Sequence, residues 1–342
     1  MTFLTGDWLG TPAWMWAVFM ALILGLLAFD LGVLSRRRKT GATSPAGEAD
    51  DASQTISIAA SLRLSVFYIS VALLFGLWVW SSLGAESAVQ YYTAFAIEKA
   101  LSLDNVFVIS LIFTALAIPR RYQHRVLFWG ILGVIVLRGI MIGVGTALVT
   151  GFDWVLWVFG AFLLITGLRL LIQKDKDDGP PDIERHPVAR LVRRVLPVTP
   201  TLYGERFLVR TADKLGRVRL HATPLLLALA MVEVADVVFA VDSIPAVFAI
   251  TQEPFLVYTS NIFAILGLRA LYFARAALVH RFEGLKPALA LVLVFIGAKI
   301  FYSHFFGKLD PAISLAVTLA ILVGGVLYSL WKTRGGEKNS LT

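Results

Sequence analysis

Long apolar runs broken by short polar segments dominate this chain. They predict nine helices, at about residues 12–34, 61–82, 89–117, 125–148, 153–173, 223–250, 256–279, 287–306 and 311–331, each near the roughly 20 apolar residues that a bilayer span requires. The same pattern divides the chain into a first helix with its linker (1–60), a second helix (61–88), a three-helix unit (89–173), a basic loop (174–222), a second three-helix unit (223–306) and a last helix with its tail (307–342). The fold class is therefore an all-α polytopic membrane protein.

Charge orients the spans. Arg36, Arg37, Arg38 and Lys39 follow the first apolar run and no basic residue precedes it, the reverse of a cleavable signal peptide. With the N-terminus outside and the C-terminus cytoplasmic, nearly all loop Lys and Arg fall on the cytoplasmic side, and the outer segments keep only Lys308 beside Asp7, Glu86, Asp153, Glu253 and Asp310. The linker 40–55 is small and polar. In the basic loop, His186 to Thr199 sets Val188, Leu191, Val192 and Val195 at helical spacing beside Arg190, Arg193 and Arg194, which predicts an amphipathic helix on an anionic leaflet.

Composition agrees: 58% of the 342 residues are hydrophobic and 16% charged, with mean hydropathy +0.76, more apolar side chain than a soluble core could hide. The chain has no cysteine, which excludes disulfides, zinc–thiolate sites, iron–sulfur clusters and thiol redox chemistry. The net charge of +8 belongs to cytoplasmic loops rather than to a nucleic-acid surface.

The two three-helix units resemble each other. LDNVFV (103–108) pairs with ADVVFAV (235–241), GILGVIVLRG (130–139) with NIFAILGLRA (261–270), and LLITGLRLL with LVFIGAKIF. Asp104, Arg138 and Arg169 stand 34 and 31 residues apart, against 33 and 30 for Asp236, Arg269 and Lys299. Three spans per unit make the pair an inverted-topology repeat, an architecture of secondary transporters that bind substrate near the midplane.

Glu98, Asp104, Glu233, Asp236 and Asp242 fall inside predicted spans, where an unpaired charge costs about 2.5–3.5 kcal/mol. Arg138, Arg269 and Lys299 offer buried partners, yet the acids outnumber them. Helical spacing sets Glu98, Ser102 and Asn105 on one face with Asp104 flanking it, and Glu233 and Asp236 on another. Pro245 predicts a kink or unwound turn at 239–246 that brings Asp242 inward and frees carbonyl oxygens. Carboxylates, an amide, the Ser243 hydroxyl and carbonyls form an all-oxygen set suited to Mn²⁺, Mg²⁺ or Ca²⁺. His124, His186, His221, His280 and His304 lie in loops or at helix ends, which argues against a histidine-rich zinc or copper site.

Several stretches carry a resemblance: IEKALSLDNVFV (97–108), HRVLFWGILG (124–133), FLVR (207–210), TPLLLALAMVEVADVVFAVDSIPAVFAIT (223–251) and YTSNIFAILGLRALYF (258–273). From about residue 14 to 331 the chain resembles the TerC family, including its Alx-like branch. The resemblance implies a bacterial inner-membrane protein of a family named for tellurium resistance and, in the Alx-like branch, associated with manganese export. It also implies that Glu98, Asp104, Asn105, Glu233, Asp236, Asp242 and Ser243 occupy the family's acidic-motif positions.

The expected function is efflux of a divalent metal ion, foremost Mn²⁺, by alternating access and with proton antiport. The expected ligands are Asp104 and Asp236 at the centre, with Glu98, Glu233, Asp242 and Asn105 completing or gating the site, and Arg138, Arg269, Lys299 and Ser243 as charge-balancing or gating groups. Mn²⁺ is then the cargo, no cofactor is held permanently, and the partners are the bilayer, the metal ion and protons. Two rivals are a tellurium-oxyanion transporter built on the three basic residues and a non-transporting scaffold for metal loading. An intramembrane aspartyl protease is disfavoured because the motifs of such enzymes are absent; the chain is expected not to be an enzyme.

Overall fold

The computed structural model describes residues 6–40, 58–152, 154–172, 187–195, 197–212, 218–268, 271–272, 285–307 and 309–339. The side chain of Asp104, all of Arg269, the linker 41–57 and much of the basic loop lie outside the described residues.

A short hairpin, β1 (Asp7–Trp8) and β2 (Thr11–Pro12), precedes helices α1 (Ala13–Thr40), α2 (Ile58–Leu83), α3 (Ala85–Ala115), α4 (Arg120–Gly151), α5 (Trp154–Ile172) and the short α6 (Pro187–Val195). A second hairpin follows, β3 (Leu208–Ala212) against β4 (Val218–Ala222). Then come α7 (Pro224–Phe248), α8 (Pro254–Leu266), α9 (Leu285–Phe306) and α10 (Pro311–Asn339). All nine predicted spans coincide with helices, α8 being described over its first half. By length and apolarity α1, α2, α4, α5, α7 and α10 qualify as membrane spans, and parts of α8 and α9 are shorter apolar helices. The exception is α3: no stretch of it long enough to span escapes the charges of Glu86, Glu98, Lys99 and Asp104.

Burial runs in stripes that suit a lipid solvent. Along α4, Val134, Arg138, Ile142, Gly145 and Val149 are buried, while Val136, Ile140, Val144 and Leu148 are exposed on the opposite side. The polar group thus faces inward and the exposed face is aliphatic, the reverse of a soluble helix. An aromatic cluster of Phe19, Phe75, Phe255 and Phe263 joins α1, α2 and α8.

The internal repeat is physical. Helix α3 packs on α8 and α4 on α7, so the first helix of each unit meets the second helix of the other. Third helices α5 and α9 form the closest contact in the bundle. A Cβ on Gly167 would lie 2.8 Å from the Ala290 carbonyl oxygen and 2.9 Å from the Val294 nitrogen; one on Gly297 would lie 2.8 Å from the Gly160 oxygen and 2.9 Å from the Leu164 nitrogen. Each residue of the first set is related to one of the second by 130 positions in sequence. The seam is therefore self-complementary, as a two-fold relation between the units requires.

Three expectations need correction. Helix α7 continues through Pro245 to Phe248 without an unwound turn. Pro245 lies in the last turn, so only the Val241 carbonyl loses its donor, and the helix closes with the Ala249 N–H donating to the Pro245 carbonyl at 3.1 Å. The amphipathic helix forms over Pro187–Val195, but it does not lie wholly apart: Ala189 is fully buried and Val192 packs against the bundle, while Leu191 stays exposed. Both hairpins were absent from the sequence expectation. In the second, Thr199 and Val198 pair with Ala222, so the hairpin is pinned beside the start of α7.

Candidate functional site: a buried ion-pair ring between the repeats

Four helices meet where each unit supplies its first two. Helix α3 brings Glu98, with Ser102 and Asn105 on the same buried face as its spacing predicts; α4 brings Arg138, α7 brings Asp236 and α8 brings Asn261. Arg138 is 1% exposed and Glu98 also 1%. All three guanidinium nitrogens donate: Nε to Asp236 Oδ2 at 3.0 Å, Nη2 to Asp236 Oδ1 at 3.1 Å, and Nη1 to Glu98 Oε2 at 3.0 Å and to the Asn261 side-chain oxygen. The Asn261 amide closes the ring by donating to Glu98 Oε1 at 2.7 Å.

Arginine suits this position because its planar fork engages one carboxylate with two parallel bonds and still reaches a second. Every oxygen of Glu98 and Asp236 is engaged within the ring, which carries two carboxylates against one guanidinium. Both carboxylates are buried, where charges are screened far less than at a surface.

Glu233 lies one turn before Asp236 on α7 and also faces α4. Its carboxylate rests against Gly133, where any Cβ would collide with it, and its Oε2 is buried without a hydrogen-bond partner. Asn105 Oδ1 and Ser243 Oγ are likewise buried and unpartnered. Beside the ring is a cavity of about 40 Å³ whose lining includes Asn105, Ile109, Val134, Val232, Asp236 and Leu268. Replacing Gly133 with Ala is expected to evict the Glu233 carboxylate from its seat while leaving the Arg138 ring intact. Measured by divalent-ion binding to purified protein, the loss should match that of Glu233→Gln; unchanged binding in both variants would remove Glu233 from the site.

The other predicted residues divide. Asp242 is half-buried on α7 and takes no part in the hydrogen bonds of the ring, so the structure does not bring it there. Lys299 donates to Ser314 Oγ at 3.1 Å, tying α9 to α10 instead of balancing the acids. Arg169 is exposed in the last turn of α5. Asp104 lies on α3 six residues beyond Glu98, with its side chain outside the described residues, as is Arg269. Among the described residues, no three acidic or histidine side chains are gathered as a metal ion would require. One participant escaped the sequence reading, Asn261. Its signal was present, an amide within a predicted span next to Thr259 and Ser260, but among the amides only Asn105 was followed.

The family model for the integral membrane protein TerC family matches residues 83–337. An uncharacterised membrane protein of Myxococcus xanthus is 44% identical over 326 residues, covering 95% of this chain and 94% of that protein. An uncharacterised membrane protein of Rickettsia bellii is 43% identical over 315 residues, 92% of this chain and 96% of its own length. Alx of Escherichia coli K12, named as a candidate membrane-bound redox modulator, is 40% identical over 341 residues, 96% and 99% of the two chains. No solved structure matches. With most of its length, including all four ring residues, inside that family match, the chain belongs to the TerC family of integral membrane proteins.

Proposed function

We propose that the protein is a secondary-type transporter that exports a divalent metal ion, foremost Mn²⁺, in exchange for protons, across a bacterial inner membrane with its N-terminus outside and its C-terminus in the cytoplasm. The observation that carries this reading is the ring itself: two buried carboxylates, bridged by one arginine, at the place where the two repeats meet. Transporters built from inverted repeats bind their substrate at that place.

Arg138 occupies the acids as a tethered cation would. For Asp236 and Glu98 to take an ion, Arg138 must release them, so ion and arginine compete for the same oxygens. Substrate binding and a change in the contacts between α3, α4 and α7 are then one event, which is the coupling alternating access needs. Carboxylate and amide oxygens favour a hard divalent ion, Glu233 and Asn105 are the adjacent donors, and Asp104 is the further ligand that the sequence suggests. The surplus negative charge of the ring disfavours a tellurium oxyanion. This chain has no cysteine, so thiol exchange is not a chemistry it can carry out.

The test is Mn²⁺ flux into proteoliposomes of purified protein under an imposed pH gradient. Wild type should show protein-dependent flux, and Asp236→Asn and Asp104→Asn should each lower it at least about 100-fold, the scale on which a charge that pairs in a buried site matters. Equal flux in wild type and both variants would make the ligand assignment wrong. No flux under any gradient would favour the scaffold reading.

A further inference from the structure

The ring uses Glu98 of α3 but not its neighbour. Lys99 is half-buried and points to α8, where its Nζ donates to the Ala264 carbonyl at 3.0 Å. That carbonyl has a particular standing. Helix α8 is defined over Pro254–Leu266 with Gly267 as its C-cap, so Ala264 lies in its last turn, where carbonyls run short of intrahelical donors. Inside a bilayer no water satisfies such a group, and the negative end of the helix dipole favours a cation there. Gly267 keeps the place open: a Cβ on it would stand 2.5 Å from the Lys99 Nζ.

The repeat sharpens the point. Ala264 corresponds to Gly133 when GILGVIVLRG is aligned with NIFAILGLRA. At Gly133 the opposite unit seats the carboxylate of Glu233. Equivalent points on the two second helices thus receive a cation from α3 and an acid from α7. Consecutive residues of α3 grip consecutive turns of α8, Glu98 through Asn261 and Lys99 through Ala264.

We propose that Lys99 is a built-in cation that locks α3 to the last turn of α8 and thereby positions Glu98 on Asn261, a positioning residue for the carboxylate site. The lock stands on the contacts alone. Its consequence for ion binding rests on the transport reading above.

The test uses full-length protein in detergent. Lys99→Ala removes the ammonium and most of its stem, a gap that n-propylammonium matches in length and charge. Lys99→Ala should lower Tm and reduce Mn²⁺ affinity about 10- to 100-fold, as loss of a group that orients a ligand does. Added n-propylammonium should restore both, tetramethylammonium, which has no N–H to donate, should restore neither, and wild type should respond to neither amine. A wild-type Tm in Lys99→Ala, or a loss that n-propylammonium leaves unrepaired, would overturn the lock. If Lys99→Ala does not fold, Gly267→Ala serves: it keeps the lysine but fills its place, so Tm should fall without amine rescue, and an unchanged Tm overturns the proposal. Amine rescue of Tm in a protein whose wild type binds no Mn²⁺ would retain the lock and remove the transport reading. Mn²⁺ binding by wild type without rescue of the variant would do the reverse.

Discussion

Arg138→Met should destabilise the protein by about 3–5 kcal/mol, the scale on which one partner lost from a buried ion pair leaves the other uncompensated. Here the loss is doubled in kind, because among the described residues Arg138 is the one cation paired with Glu98 and with Asp236, while Asn261 holds just one oxygen of Glu98. Thermal unfolding in detergent would read it as a lowered Tm. The decisive comparison is the triple variant Glu98→Gln, Asp236→Asn, Arg138→Met, in which no charge remains in the ring. It should recover most of the stability while abolishing metal binding, since a buried pair contributes less to stability than its broken half costs. Arg138→Lys should fall between, keeping the charge and losing the fork. Arg138→Met within about 1 kcal/mol of wild type, the range of an exposed pair, would mean that water reaches the ring.

The spans were legible because apolar runs of this length have one favourable environment, and the intramembrane acids stood out against them. What could not be read was which base meets which acid, for that depends on the rotation of four helices about their axes. Arg138, Arg169, Arg269 and Lys299 looked like equivalent anchors at matching intervals. Of the three that the structure describes, Arg138 enters the ring, Arg169 is exposed at a helix end and Lys299 serves Ser314 on α10. The acids of α7 were assigned to one face correctly for Glu233 and Asp236, and the inward turn of Asp242 failed with the expected unwinding at Pro245. The second hairpin hid because LVRTA and VRLHA are short, and their basic residues read as those of a cytoplasmic loop. Asn261 was overlooked as a neutral residue in a repeat motif, although its amide holds the ring closed.

The repeat itself was read from charged anchors, yet the residues that realise it most strictly are glycines, and this yields the second large expectation. Gly167→Ala and Gly297→Ala should each destabilise by about 3 kcal/mol, the upper range for overpacking a close contact. The colliding atoms are backbone, Ala290 oxygen and Val294 nitrogen on one side and Gly160 oxygen and Leu164 nitrogen on the other, so no side-chain rotation can relieve either clash and α5 must move away from α9. Because the two environments are copies, the two losses should agree closely. Their combination should cost less than the sum, since one displacement of the helices relieves both. Gly25, Gly143 and Gly324 lie in helices with nothing near a built Cβ, and alanine there should be neutral or mildly stabilising, as removal of glycine from a helix predicts. Thermal unfolding of the five single variants and the double variant decides the matter. Unequal losses at Gly167 and Gly297 would show that the seam is not two-fold in the working protein, and a cost confined to one of them would mean that the repeats have diverged where they touch most closely.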